Sequence, residues 1–79
     1  MSRYHVIWNS IKQTGSAEVT VSKEHARTVE DGVKRVKTAE NVARRLSGLV
    51  GWSKLVIERK ELSSTHVLIK FTLLYNTAL

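Results

Sequence analysis

One amphipathic stretch, residues 28–49, constrains the fold of this chain more than any other part of it. At about 100° per residue, its apolar side chains fall on a single stripe that suits the buried face of a helix. The stretch therefore predicts one helix over roughly residues 28–49, and a start as early as Ser22 is left open. The stripe consists of Val29, Val36, Ala39, Ala43, Leu46 and Val50, with Val33 and Val42 at its margins.

The Asp31-Gly32 pair inside this stretch is also a hairpin signal. A two-residue loop there would set Val29 opposite Lys34, which gives neither strand an apolar face. A helix is favoured instead, since Thr28 can cap its start. Glycine costs about 1 kcal/mol relative to alanine inside a helix, so fraying or a break near Gly32 is left open.

The segment before the helix is interpreted as a β-hairpin. Residues 4–12 (YHVIWNSIK) are rich in β-branched and aromatic side chains, which is typical of a strand. The QTGS that follows supplies turn chemistry, and residues 17–22 alternate, with Ala17, Val19 and Val21 on one face.

Residues 52–62 and 65–75 are predicted to form a second hairpin. A three-residue loop over residues 62–64 places the apolar side chains of both strands on one face, whereas a slip by one residue would not. This register sets Ile57 opposite Ile69, Leu55 opposite Phe71 and Arg59 opposite Val67, and the face continues to Leu73 and Tyr75. The predicted architecture is an α+β single domain over residues 1–79, ββαββ, an antiparallel sheet with one long helix packed on one face.

The composition and the first residues favour an intracellular protein. With no cysteine among 79 residues, a disulfide frame is excluded. No apolar run reaches the roughly 18 residues of a membrane span, and the start lacks the apolar core of a signal peptide, so a cytoplasmic location is expected.

No motif points to an enzyme, a metal or a cofactor. The three histidines lie far apart and lack an acidic neighbour at ligand spacing. The glycines match neither phosphate-binding signature, and Asp31 is the only aspartate, which disfavours a paired-carboxylate site. The chain is therefore interpreted as a non-enzyme.

The net charge of +6 favours polyanionic partners, although solubility alone is an alternative reading. Along the helix, three acids precede cations by four residues, which predicts local ion pairs. Lys37 and Arg45 are left without such a partner. A salt-bridged solvated face is therefore slightly favoured there over a nucleic-acid face. The predicted pairs are Glu30–Lys34, Asp31–Arg35 and Glu40–Arg44.

The outer face of the second hairpin carries charge that the predicted register leaves uncompensated. It pairs Trp52 with Leu74, Lys54 with Thr72, Val56 with Lys70, Glu58 with Leu68 and Lys60 with His66. Such a face suits nucleic acid, with lysines on phosphates and a stacking aromatic, or a protein partner; alternatively, Trp52 packs into the helix–strand corner. The candidate binding residues are Lys37, Arg44, Arg45, Trp52, Lys54, Lys60 and Lys70.

These observations predict a small basic binding protein that contacts nucleic acid or a nucleoprotein complex. In size and element order, a basic cysteine-free ββαββ domain resembles small phage and mobile-element proteins, including some anti-CRISPR inhibitors. The resemblance implies a protein inhibitor that docks on a larger complex as the alternative.

A homodimer is also expected, because the last strand is apolar on both faces and would invite a second copy if it lay at a sheet edge. The alternative is that the outer face binds a different partner and not a second copy of the chain. The residues assigned to self-association are Val56, Leu68 and Leu74.

Overall fold

The structure is a computed structural model and describes residues 3–74. It contains two helices and one three-stranded antiparallel sheet, so the predicted α+β class is confirmed. The predicted ββαββ order is wrong, because the first element is a helix and the order is αβαββ. The elements are α1 (Arg3–Thr14), β1 (Ser16–Ser22), α2 (Lys23–Leu46), β2 (Leu55–Glu61) and β3 (His66–Leu73).

The strand predicted over residues 4–12 lies inside α1. Its apolar residues recur at i, i+3, i+4 and i+7, the period of one helix face, and this pattern outweighs their β propensity. Ile7, Trp8 and Ile11 are buried, and Tyr4 packs against the core beside them. The helix therefore contributes a large part of the core.

β1 pairs with β3 rather than with a preceding strand, so the first predicted hairpin does not exist. Gly15 has a φ of 85°, which lets the chain leave α1 and enter β1 within one residue. The strand order is β1-β3-β2, which makes β3 central and places β1 and β2 at the edges. The self-association route that required β3 at an edge is therefore excluded.

α2 begins at Lys23 and follows Ser22 in the extended N-cap position. The predicted start with Thr28 as the cap is therefore wrong, and the start near Ser22, which the sequence left open, is correct. Gly32 lies within the helix and does not interrupt it. At the other end, Gly48 (φ 76°) donates to the Arg45 carbonyl and Leu49 donates to the Arg44 carbonyl. This pair of bonds is a Schellman motif, which ends the helix before residue 49.

Only the N-terminal half of α2 packs apolar side chains on the sheet. Ala26, Val29 and Val33 are buried, although Val33 had been predicted at the margin. A 24-residue helix is about 36 Å long, whereas a seven-residue strand spans about 23 Å. The sheet is too short to cover the whole helix, and the second half of α2 turns Glu40, Asn41 and Arg44 toward the rest of the chain. Four residues predicted on the buried stripe are exposed: Ala39, Ala43, Leu46 and Val50.

The second hairpin is present, with its register shifted by two residues from the prediction. Ile57 lies opposite Phe71 and Leu55 opposite Leu73, and the three-residue loop is 63–65 instead of 62–64. The Ser63 hydroxyl accepts hydrogen bonds from the backbone of Thr65 and His66, which favours the observed loop. A two-residue shift keeps every side chain on its predicted face. Tyr75, predicted to continue that face, lies outside the described residues.

Both helices contribute to one core on a single face of the sheet. From β3, Val67, Ile69, Phe71 and Leu73 point into it, and the alternate residues of the strand point to the opposite face. Among residues 3–74, no element covers that opposite face. The sheet is therefore left with one open surface.

Candidate nucleic-acid interface

Glu40 joins α1, α2 and the segment that leads into β2. Trp8 and Trp52 donate their indole N–H groups to its two carboxylate oxygens, and Lys12 Nζ lies 3.0 Å from Oε1. Burial raises the pKa of Glu40, but the hydrogen bonds from Trp8, Lys12 and Trp52 outweigh this and hold it below the ordinary 4.5. The carboxylate is therefore charged at neutral pH and fixes the position of both tryptophans.

Trp52 is part of this cluster and does not belong to the outer face of the hairpin, because β2 begins only at Leu55. Its ring meets Trp8 edge-on, with centroids 6.0 Å apart and planes at 85°. The Arg44 guanidinium lies 4.6 Å from the Trp52 ring centroid, and Lys12 Nζ lies 5.9 Å from it. The alternative placement of Trp52 in the helix–strand corner is therefore correct, and the ring is already in contact with two cations.

Side chains of α2 also hold the backbone of this segment. Asn41 accepts a hydrogen bond from the Trp52 N–H and donates one to the Trp52 carbonyl at 3.3 Å. Arg44 Nε donates to the Val50 carbonyl at 2.6 Å. The connection between α2 and β2 is thereby tied to the last two turns of the helix.

The three predicted i,i+4 ion pairs on α2 do not form, because each acid has another partner. Glu30 pairs with Arg59 of β2, and this hydrogen bond raises the pKa of the Arg59 guanidinium. Asp31 pairs with Arg27, one turn earlier, at 3.9 Å. Glu40 is bound to Lys12 and the two indoles. Several cations have no ion pair with any residue in 3–74, among them Lys34, Arg35, Lys37, Arg44, Arg45, Lys54, Lys60 and Lys70.

Four cations of α2 share one side of the helix, which we call the basic side: Lys34, Lys37, Arg44 and Arg45. At about 100° per residue they fall within roughly 100° of arc. Lys34 and Arg45 are exposed, and Lys37 and Arg44 are half-buried. Lys37, Arg44 and Arg45, all predicted for binding, are thus brought together on one surface.

Lys54 extends this surface beyond the helix. It lines an open depression with Arg45, Val50, Trp52 and Leu74. The depression therefore combines two cations with three apolar side chains in its lining. Of the candidate binding residues, Arg45, Trp52 and Lys54 meet here.

Lys60 and Lys70 lie elsewhere, on the open face of the sheet. Lys70 is opposite Glu18 of β1 and Glu58 of β2, while Lys60 is opposite Leu68. Glu18 was absent from the predicted face because β1 had been paired with another strand. With both acids in place, the open face is nearly balanced in charge, which weakens the case for it as a phosphate-binding platform.

The residues predicted for self-association do share the open face. Val56 and Leu68 are half-buried there, opposite Thr72 and Lys60, and Leu74 is exposed opposite Lys54. Their partners across the strands are polar, so these side chains do not form a continuous apolar patch.

The sequence interpretation missed the structural roles of Trp8 and Glu40. It also missed that Lys34 has no ion pair within the described residues. Trp8 lies with Tyr4, Ile7 and Ile11 at helical spacing. This spacing is the signal that could have revealed the place of Trp8 on the buried face of a helix. Nothing in the local sequence marks Glu40, because its partners come from α1 and from the segment after α2.

Within residues 3–74, no group of histidine and acidic side chains is arranged to hold a metal ion. Neither helix described is both long and apolar enough to cross a membrane.

Comparisons of the chain with protein-family models, with curated proteins and with solved structures give no match. The resemblance to small phage and mobile-element proteins rests on size and element order, and the observed αβαββ order removes the second of these. A proposal of function therefore depends on the geometry of the chain itself.

Proposed function

We propose that this chain is a non-enzymatic binding protein that contacts nucleic acid, or a nucleoprotein complex, through the basic side of α2 together with Lys54. One observation carries the proposal: the acids nearest the helix cations are bound elsewhere, to Arg59, Arg27 and Lys12. With a net charge of +6, the unpaired cations form an attractive surface for a polyanion in the cell interior.

The spacing of the cations suits a phosphate backbone. Lys34 and Arg45 are eleven residues apart, or about 16 Å along the helix axis, with Lys37 between them. Duplex DNA carries one charge per about 3.4 Å of axis on each strand, so several phosphates lie within that span. Such contacts hold the backbone without reading bases.

Trp52 does not add base stacking to this surface. Its ring already contacts Arg44, Lys12 and the edge of Trp8. Binding through phosphate contacts alone predicts little preference for sequence and a strong dependence on salt.

Gel retardation of duplex DNA, single-stranded DNA and RNA at 50 mM salt tests the proposal. Lys37→Ala/Arg45→Ala should weaken binding by about a hundredfold or more, since two charge-assisted contacts are lost and each is worth about 1.5–3 kcal/mol. Lys60→Ala/Lys70→Ala removes the same charge from the open face and should have a smaller effect. Absence of retardation with all three nucleic acids at micromolar protein rejects the proposal.

A protein-directed inhibitor or adaptor is the second candidate, and the depression beside Lys54 favours it. Val50 is 84% exposed there, and Trp52, Leu74, Arg45 and Lys54 line the same depression. Exposed apolar side chains next to cations suit a protein interface, which has an apolar core and a polar rim.

Substitution separates the two candidates. Val50→Asn should weaken docking to a protein and leave retardation of nucleic acid unchanged. Capture of one stoichiometric protein from nuclease-treated lysate, lost with Val50→Asn, would support the inhibitor; recovery of nuclease-sensitive material alone would reject it.

A further inference from the structure

The C-terminal half of α2 exposes a continuous apolar surface on the side away from its cations. Leu46 is 85% exposed and Val42 51%, and the small residues Ala39 and Ala43 lie beside them, also exposed. We call these four residues the apolar stripe. Contiguous exposed aliphatic side chains on a helix mark an interaction surface, because water contact with them is unfavourable.

We propose that the apolar stripe is the interface of a homodimer in which two copies of α2 pack antiparallel. Ala39, Val42, Ala43 and Leu46 lie at i, i+3, i+4 and i+7, the spacing of one helix face. This spacing reads the same in both directions, so a two-fold axis can superimpose the stripe on that of a second copy. A closed dimer of this kind buries the same patch on both chains.

The sizes of the side chains also suit this pairing. An antiparallel copy can place Leu46 opposite Ala39 of the second copy, and Val42 opposite its Ala43. Each large side chain then meets a smaller one, which lets the two helices interdigitate without voids. A foreign partner would need no such internal symmetry, and this symmetry is what favours a second copy.

Charge is compatible with the pairing despite the net positive charge of the chain. The basic side lies roughly 160° around the helix from the apolar stripe, so Lys34, Lys37 and Arg44 of both copies point away from the seam. Arg35 is on the stripe side, at its N-terminal end. An antiparallel copy directs the C-terminal, negative end of its own α2 toward that residue, which favours the contact.

Sedimentation equilibrium near 100 μM protein tests the dimer without any nucleic acid, so its result is independent of the proposed function. The expected mass is twice the 8.9 kDa of one chain. Leu46→Glu should give a mass of one chain, and its far-UV circular dichroism should match that of the original protein, since the side chain is exposed and glutamate is a good helix former.

Leu62→Glu is the matched control, because Leu62 is 50% exposed but lies in the β2–β3 connection. It makes the same change in charge and should leave the dimer intact. A mass of one chain for the original protein overturns the inference, as does a dimer that persists in Leu46→Glu. Loss of the dimer with Leu68→Glu but not with Leu46→Glu would place the interface on the open sheet face and would also overturn it.

Discussion

The ring of Tyr4 in α1 lies directly against Gly32 in α2, so closely that a Cβ atom at position 32 would be 2.6 Å from the ring. Real carbon atoms do not approach to that distance without repulsion. A glycine in the middle of a 24-residue helix is therefore explained by the packing of α1, and its cost in helix propensity is offset by this contact.

Gly32→Ala is expected to lower the free energy of unfolding by up to about 2 kcal/mol. Alanine gains about 1 kcal/mol in helix propensity, but overpacking against Tyr4 costs about 1–3 kcal/mol. Denaturant unfolding measures the difference. In a Tyr4→Ala background the clash is absent, so the same substitution should stabilise the protein. Stabilisation by Gly32→Ala with Tyr4 present would contradict the close packing of the two helices.

Replacement of Glu40 by glutamine is expected to destabilise the protein at neutral pH by about 1–3 kcal/mol, because a neutral amide cannot satisfy two indole N–H groups and an ammonium. In the folded state the pKa of Glu40 lies below 4.5, so its contribution to stability is present above that value and lost as pH falls through the folded pKa. The difference between the original protein and Glu40→Gln should therefore shrink as pH falls from 7 toward 3.

Glu61→Gln provides the control for this pH series. Its Lys23 partner lowers the pKa of Glu61, but the pair is exposed and should contribute little to stability. A stability difference for Glu40→Gln that stays constant from pH 7 to pH 3 would show that the carboxylate is not the centre of the tryptophan cluster.

Lys70→Glu is expected to destabilise the sheet by about 1 kcal/mol at low salt, because it places three acids side by side on β1, β3 and β2. The effect should decrease as salt screens the repulsion. Lys60→Glu, opposite Leu68, should change the midpoint of unfolding much less. Equal effects of the two substitutions would favour the register predicted from the sequence, in which Lys70 lies opposite Val56.

Much of the β2–β3 hairpin and of α2 could be predicted because their patterns are local. Alternation identified the sheet face. The two-residue error in register arose from the loop, where the Ser63 hydroxyl accepts hydrogen bonds from the backbone of Thr65 and His66 in the observed alignment. α1 could not be separated from a strand by propensity, since Val6, Ile7 and Trp8 favour β structure while only their spacing indicates a helix.

The candidate surface could be predicted only in part, because its charge depends on tertiary partners. Lys37, Arg44 and Arg45 were identified from their positions on the helix. Whether these cations keep an acidic partner depends on Arg59 and Lys12, which bind Glu30 and Glu40. Arg59 and Lys12 come from other elements, so their positions cannot be predicted from spacing along α2. The same limit applies to Glu18, which balances Lys70 only because β1 pairs with β3.

The salt dependence of binding to a short DNA duplex tests the central claim most directly. If Lys34, Lys37, Arg45 and Lys54 each contact a phosphate, the logarithm of the affinity should fall with the logarithm of salt with a slope of about −4, or about a hundredfold between 50 and 200 mM. Lys37→Ala/Arg45→Ala should reduce the magnitude of the slope by about two, and Lys60→Ala/Lys70→Ala should leave it unchanged. A slope near zero would contradict the assignment of nucleic-acid binding to the basic side of α2. So would a slope whose magnitude is reduced only by Lys60→Ala/Lys70→Ala.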